Sequence, residues 1–316
     1  MGKTRHIDTL IESGTFRFDT LTVSGIDNAT VCDFHSPAIA EQETNLFHRD
    51  VAGGDDYYAM LHDFVATGMM DRLPAPVVRF ADGEYAFYDG DLQCNGLYRQ
   101  AESVDAIREA LAVHIGALTR LAASGKLAPL VFPGNTERKR RGLASFFRRT
   151  DGSEAAARFV DLLHDSGIDL TRDNYTPFYI VYAYLTSRVF ATLVDGRKIC
   201  IIGSDCDDDA CGAWFARYGS APDITFVEIP QSYMATRWPS IRDTILDAVP
   251  TDTDLCLVGA GIGSLLVCVD AADRCRVPAI DAGHVLNMMN GREDKSQGPR
   301  LYTVHSDAGN CDERSA

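Results

Sequence analysis

The stretch D-L-C-L-V-G-A-G-I-G-S-L-L-V-C-V-D-A, residues 254–271, decides the fold of this chain. A short apolar run ends at a glycine-rich turn, and a second apolar run of helical length follows. That is the signature of a buried strand feeding a helix through a tight loop. The same alternation surrounds it. Apolar runs at 198–203, 224–229, 254–259 and 277–281 predict strands, and the stretches 207–218, 239–248 and 264–272 between them predict helices, with another at 177–193 before the set. Strands and helices alternating at short intervals predict a parallel sheet covered by helices. Right-handed crossovers then gather the loops after the strands along one edge, where open α/β sheets bind ligands.

Bulk composition fits such a domain. The chain has 316 residues, 46% of them hydrophobic, enough to bury a sizeable core. A formal net charge of −15 argues against wrapping nucleic acid or seeking anionic lipid. Nine cysteines without a C-x-x-C pair suggest neither a disulfide framework nor a zinc ribbon, and Cys200, Cys256 and Cys268 sit in apolar runs as small hydrophobes. No apolar leader core and no run long enough to span a bilayer is seen, so a cytoplasmic protein without a transmembrane segment is expected and the sequon Asn28-Ala29-Thr30 carries no weight.

The reading divides the chain into an N-terminal extension at 1–54, one α/β domain at 55–290 and a polar, mobile tail at 291–316. Within the domain, 57–67 has helical spacing, 76–80 is a strand, Ser103 caps a helix running to 124, and 128–132 is a strand stopped by Pro133-Gly134-Asn135. Residues 136–152 form a basic insertion with Arg138, Lys139, Arg140, Arg141, Arg148 and Arg149. It reads either as a solvated helix face or as a patch for a phosphate-bearing ligand.

Four places could carry chemistry. The first is V-V-R-F-A-D-G-E at 77–84, an apolar run that ends in Arg79, Asp82 and Glu84. Charges at the mouth of a core strand are costly unless neutralised. In an extended chain Asp82 and Glu84 point the same way, with Gly83 letting a ligand approach, which makes half a site for Mg²⁺ or Mn²⁺ bridged by a diphosphate. The alternative is a turn in which Arg79 pairs one acid. The second is the loop Gly259, Gly261, Gly263 and Ser264, whose N–H groups and helix N-terminus could hold a phosphate. Its spacing is near the dinucleotide fingerprint, but the third glycine comes one residue early.

Asp281-Ala282-Gly283-His284 is the third: His284 could be a general base or a cap for the next segment, with Asp281 orienting it or binding a ribose. Fourth, Gly203 ends a strand on the same edge, and Arg188 and Arg237 either neutralise a diphosphate or form surface ion pairs. The acids Asp207-Asp208-Asp209 suit a helix start.

Taken together, R-F-A-D-G-E at 79–84, V-D-G-R-K-I-C-I-I-G-S at 194–204, L-V-G-A-G-I-G-S-L-L-V-C-V-D-A at 257–271 and A-I-D-A-G-H at 279–284 resemble the GT-D type glycosyltransferases, a family first described as a domain of unknown function in streptococcal adhesin glycosylation. Its members carry R-F-G-D-G-E near the N-terminus and D-I-G-H near the end; here Ala81 stands in place of the family's glycine. The resemblance spans about residues 75–290. It implies a Rossmann-like parallel sheet with helices on both faces, and a hexosyltransferase-like enzyme that moves a sugar from a nucleotide-sugar, a UDP-sugar for example, to a hydroxyl of a glycan, glycoprotein or lipid-linked acceptor.

It also implies a divalent metal, Mn²⁺ or Mg²⁺, at Asp82 and Glu84, and site roles for Asp281 and His284. Arg79, Gly83, Gly203, Gly259, Gly261, Gly263, Ser264, Arg188 and Arg237 are then expected to face the donor. Two other classes stay open: an NAD(P)-dependent oxidoreductase built on the 259–264 turn, and a domain that binds a nucleotide-sugar without turnover.

Overall fold

A computed structural model describes residues 5–15, 56–90, 101–131, 133–136 and 154–291. The basic residues of 136–152, nearly all of the tail and most of the N-terminal extension lie outside the described residues.

In chain order the elements are α1 (His6–Glu12), α2 (Asp56–Asp71), β1 (Ala75–Phe80), α3 (Asp82–Tyr88), α4 (Val104–Ser124), β2 (Lys126–Pro129), a helical turn at Pro133–Thr136, α5 (Ala155–Asp165), α6 (Phe178–Leu185), α7 (Arg188–Leu193), β3 (Lys198–Gly203), α8 (Asp208–Ala216), β4 (Asp223–Glu228), α9 (Met234–Ala248), β5 (Leu255–Gly259), α10 (Ser264–Cys275), β6 (Pro278–Asp281) and α11 (His284–Met289). The strands form one parallel sheet in the order β2-β1-β6-β5-β3-β4. Strands β1 and β6 are buried along their whole length, as apolar runs in a parallel sheet covered on both faces must be. Edge strand β4 is only partly buried.

The strand order explains the layers. Steps β1 to β2, β4 to β5 and β5 to β6 run one way across the sheet, so right-handed crossovers place α4, α9 and α10 on one face, where they pack on one another. The steps β2 to β3 and β3 to β4 run the other way. Helices α6, α7 and α8 therefore take the opposite face, where α2 packs on α6.

Three local differences from the sequence reading have physical causes. Residues 177–193 form two helices, because Ser187 turns its hydroxyl to accept the Phe190 N–H and starts a second one. Helix α9 begins at Met234, ahead of Pro239, which the sequence suggests as a helix start. Proline has no N–H to give the carbonyl four residues earlier, that of Ala235. Buried His114 on α4 donates Nε2–H to that carbonyl at 2.8 Å, so the interior proline leaves no orphan.

The third difference concerns D-G-E. It is the first turn of α3 rather than an extended run. The Glu84 carboxylate reaches back to accept the Ala81 N–H at 2.8 Å, half of a capping box whose usual Ser or Thr is replaced by alanine.

Candidate active site

The candidate residues gather at the C-terminal edge of the sheet. Arg79 on β1 and Asp281 on β6 lie on neighbouring strands and are both buried. Arg79 Nε donates to the Asp281 carbonyl at 2.9 Å, its Nη2 to Asp281 Oδ1 at 3.2 Å, and its backbone N–H to Oδ2 at 3.3 Å. The guanidinium lies 4.5 Å from the ring centre of Tyr182 and 5.3 Å from that of Phe178, both on α6. Burial works against its charge, but Asp281 and the Tyr182 hydroxyl together more than compensate and hold Arg79 above its ordinary range. The cation at the strand mouth is thus neutralised from within. Its partner is Asp281, not Asp82 or Glu84.

Gly283 makes this possible. It has φ +43°, and a Cβ there would overlap the Arg79 guanidinium. His284 follows as the first residue of α11 and is exposed at the edge, while Val285 and Leu286 anchor the helix inside.

Because D-G-E is helical, Asp82 and Glu84 do not share one direction. Glu84 points inward. Burial pushes its carboxyl up to about 7; the Ala81 N–H pulls it down and the nearby Asp281 charge adds to the rise. Asp82 reaches solvent at the helix start, and the protein around it raises its carboxyl with no cation contributing. Gly83 lies between them, partly exposed.

Across the sheet, Gly203 and Gly259 are register partners. They mark the point where the chain from β3 leaves to one face and the chain from β5 to the other, the crevice expected to take a ligand. Beside it, Ser204, Asp205, Glu228, Ile229, Pro230 and Gln231 line an open depression of about 490 Å³. From Arg79 to Gly203 is three strand steps, roughly 14 Å at about 4.8 Å each.

The glycine turn divides in use. Gly261 is exposed with φ +54° and can offer its backbone to a ligand. Gly263 is buried where a Cβ would sit 2.5 Å from Met234 Cβ, so it admits the start of α9. Ser264 is buried too, and its hydroxyl accepts the Ala260 N–H at 3.2 Å.

Arg188 and Arg237 are not brought to Asp82 or Glu84. Arg237 donates to Glu102 at 2.7 Å and lies over Tyr233. Arg188 is exposed on α7, near Tyr218 beyond the end of α8. Asp207 caps α8 by accepting the Ala210 N–H.

Sequence reasoning missed Tyr182, Phe178 and His114. The first two belong to the aromatic run F-Y-I-V-Y-A-Y-L, whose composition suggests only core. His114 carried no motif. With Nε2–H given to Ala235, its Nδ1 must accept the Tyr88 hydroxyl at 3.1 Å. Burial lowers its pKa to about 4, so it stays neutral.

Residues 155–289 match the GT-D fold-like domain. Among solved structures, a glycosyltransferase with a domain of unknown function 1792 from Streptococcus sanguinis is 14% identical, with 77% of this chain and 89% of that chain covered and a TM-score of 0.44. Another structure of a domain of unknown function 1792, described as having a distinct glycosyltransferase fold, is 14% identical, with 79% and 91% covered and a TM-score of 0.42. No curated protein matches the sequence. The α/β fold expected from the sequence, one parallel sheet with helices on both faces, is the one found. Among the described residues, no helix is long and apolar enough to cross a membrane.

Proposed function

We propose that this chain is a glycosyltransferase that moves a sugar from a nucleotide-sugar to a hydroxyl acceptor. The observation that carries the reading is the GT-D fold-like match at 155–289, with Asp82, Glu84 and His284 at the ligand edge of the same sheet.

A divalent cation fits Asp82, the carboxylate that reaches solvent. Two hard oxygen donors on one helical turn are both held above their ordinary range by burial, and no positive partner offsets this at Asp82. Asp82 would hold the ion from the solvent side, while Glu84, turned inward by the helix and bonded to the Ala81 N–H, would add negative charge behind it. A bound divalent ion supplies charge to offset that growing on a departing diphosphate. The exposed backbone of Gly261 and the strand ends at Gly203 and Gly259 would position the donor across the crevice. His284, exposed beside them, would take the acceptor proton.

Asp281 is a positioning residue in this scheme, because its carboxylate is occupied by Arg79. That occupation also weighs against the oxidoreductase reading, which needs Asp281 at a ribose.

The test is a thermal-shift screen of UDP, GDP and their sugars, with and without Mn²⁺, on wild type and Asp82→Asn. A ligand at a hundred times its dissociation constant adds about 2.7 kcal/mol. Metal-dependent stabilisation of wild type alone is expected. A shift given by NAD(P) and by no nucleotide-sugar would overturn the reading.

A further inference from the structure

A second cluster lies away from this edge, where α1 packs on α5. His6 on α1, His164 near the end of α5 and Asp169 in the loop beyond it each offer a ligand atom, and these atoms lie within 4.8 Å of one another. His164 Nδ1 is 3.1 Å from Asp169 Oδ1, and the two imidazoles stack with ring centres 4.1 Å apart. The His6 Nε2 atom is buried and has no hydrogen-bond partner. A buried nitrogen left without a partner is costly, and a bound cation would satisfy it.

We propose that His6, His164 and Asp169 bind a transition-metal dication of the zinc class, which clips α1 onto α5. The donor chemistry selects the ion. Two imidazoles and a carboxylate suit Zn²⁺, Co²⁺ or Ni²⁺, whereas Mg²⁺ and Ca²⁺ take oxygen shells. Three protein ligands leave the fourth tetrahedral position to water. Bonds of about 2.0–2.1 Å place tetrahedral ligand atoms about 3.3 Å apart, so the cluster must close slightly. The partly exposed His164 and exposed Asp169 can turn to do this.

The clip has a consequence for the fold. Ile7 and Leu10 of α1 are already buried in the core. Helix α5 in turn presses Phe159 on Phe80, Tyr85 and Tyr88, and its Arg158 pairs with Asp89 at the end of α3. An ion at His6 and His164 therefore fastens a stack that ends at the helix carrying Asp82 and Glu84. The inference does not depend on the proposed activity.

The test is titration of the chelator-stripped full chain with Co²⁺, read by visible d–d absorption, followed by displacement with Zn²⁺. Wild type, His6→Ala, His164→Gln and Asp82→Asn are compared, each with its far-ultraviolet dichroism. One equivalent with four-coordinate bands is expected, weakened about tenfold or more in both histidine variants and unchanged in Asp82→Asn. His164 is half exposed, so its variant keeps the fold. Absence of the bands in wild type would overturn the assignment. So would bands of undiminished affinity in both histidine variants, including thiolate bands from a cysteine site.

Discussion

Arg79 and Asp281, 202 residues apart in sequence, hold each other across the β1–β6 strand pair through three hydrogen bonds in a buried setting. The aromatic rings of Tyr182 and Phe178 line the guanidinium, so water has little access to it. A buried pair of this kind adds little net stability over apolar residues, but losing one partner strands a charge. Asp281→Ala should therefore cost about 3–5 kcal/mol in urea unfolding, and Arg79→Met with Asp281→Ala much less than the sum of the single changes. Additive losses would mean that the two side chains do not act as a unit.

Gly283 gives the same lock a steric test. Alanine there meets a positive φ and the Arg79 guanidinium at once. We expect Gly283→Ala to cost about 2–4 kcal/mol, while Gly203→Ala, where the nearest atom to a Cβ is 3.7 Å away, costs under about 1 kcal/mol. Equal effects at the two sites would show that Arg79 yields easily.

Glu84 and His114 push stability in opposite directions with pH. Glu84 titrates at about 7 in the native state against 4.5 as its ordinary value, so the folded chain binds the extra proton in that window and stability falls as pH rises through it. His114 titrates at about 4 against 6.5, so the unfolded chain binds the extra proton and stability falls as pH drops from 6.5 towards 4. Their windows overlap, and the two slopes offset each other in wild type. Glu84→Gln should remove one and leave stability climbing to about pH 6.5; His114→Gln should leave it falling towards about pH 7, each difference reaching about 2–3 kcal/mol. Chemical denaturation from about pH 4 to 8 reads both. A His114→Gln curve parallel to wild type would remove the buried neutral histidine.

Where pattern and physics coincide, the sequence was readable. The runs at 198–203 and 254–259 are strands because their apolar residues are covered on both faces, and no distant contact competes with that. The strand edge as the place for a site followed from the same alternation. The pairing of Arg79 could not be read, because its partner arrives from β6 through the strand order. Nor could the helical state of D-G-E, since Ala81 conceals the capping pattern that Glu84 completes. The early start of α9 rests on His114, an isolated histidine on another helix. In each case a tertiary contact decides the local structure.

Asp82 and His284 separate chemistry from architecture. Asparagine is tolerated at a helix start, so Asp82→Asn should stay within about 0.5 kcal/mol of wild type in stability. If Asp82 holds the cation, the same variant should lose about a hundredfold or more of Mn²⁺-dependent donor turnover, equivalent to about 2.7 kcal/mol. Unchanged turnover would remove Asp82 from the site. His284→Ala should behave differently, because an exposed base acts on the acceptor and not on the bound donor. Its turnover should fall about 10²–10⁴-fold while donor affinity stays within about twofold. The lost rate should also show as a missing limb of the pH–rate profile. Donor affinity falling in step with turnover, with the pH limb intact, would make His284 a donor contact instead of the base.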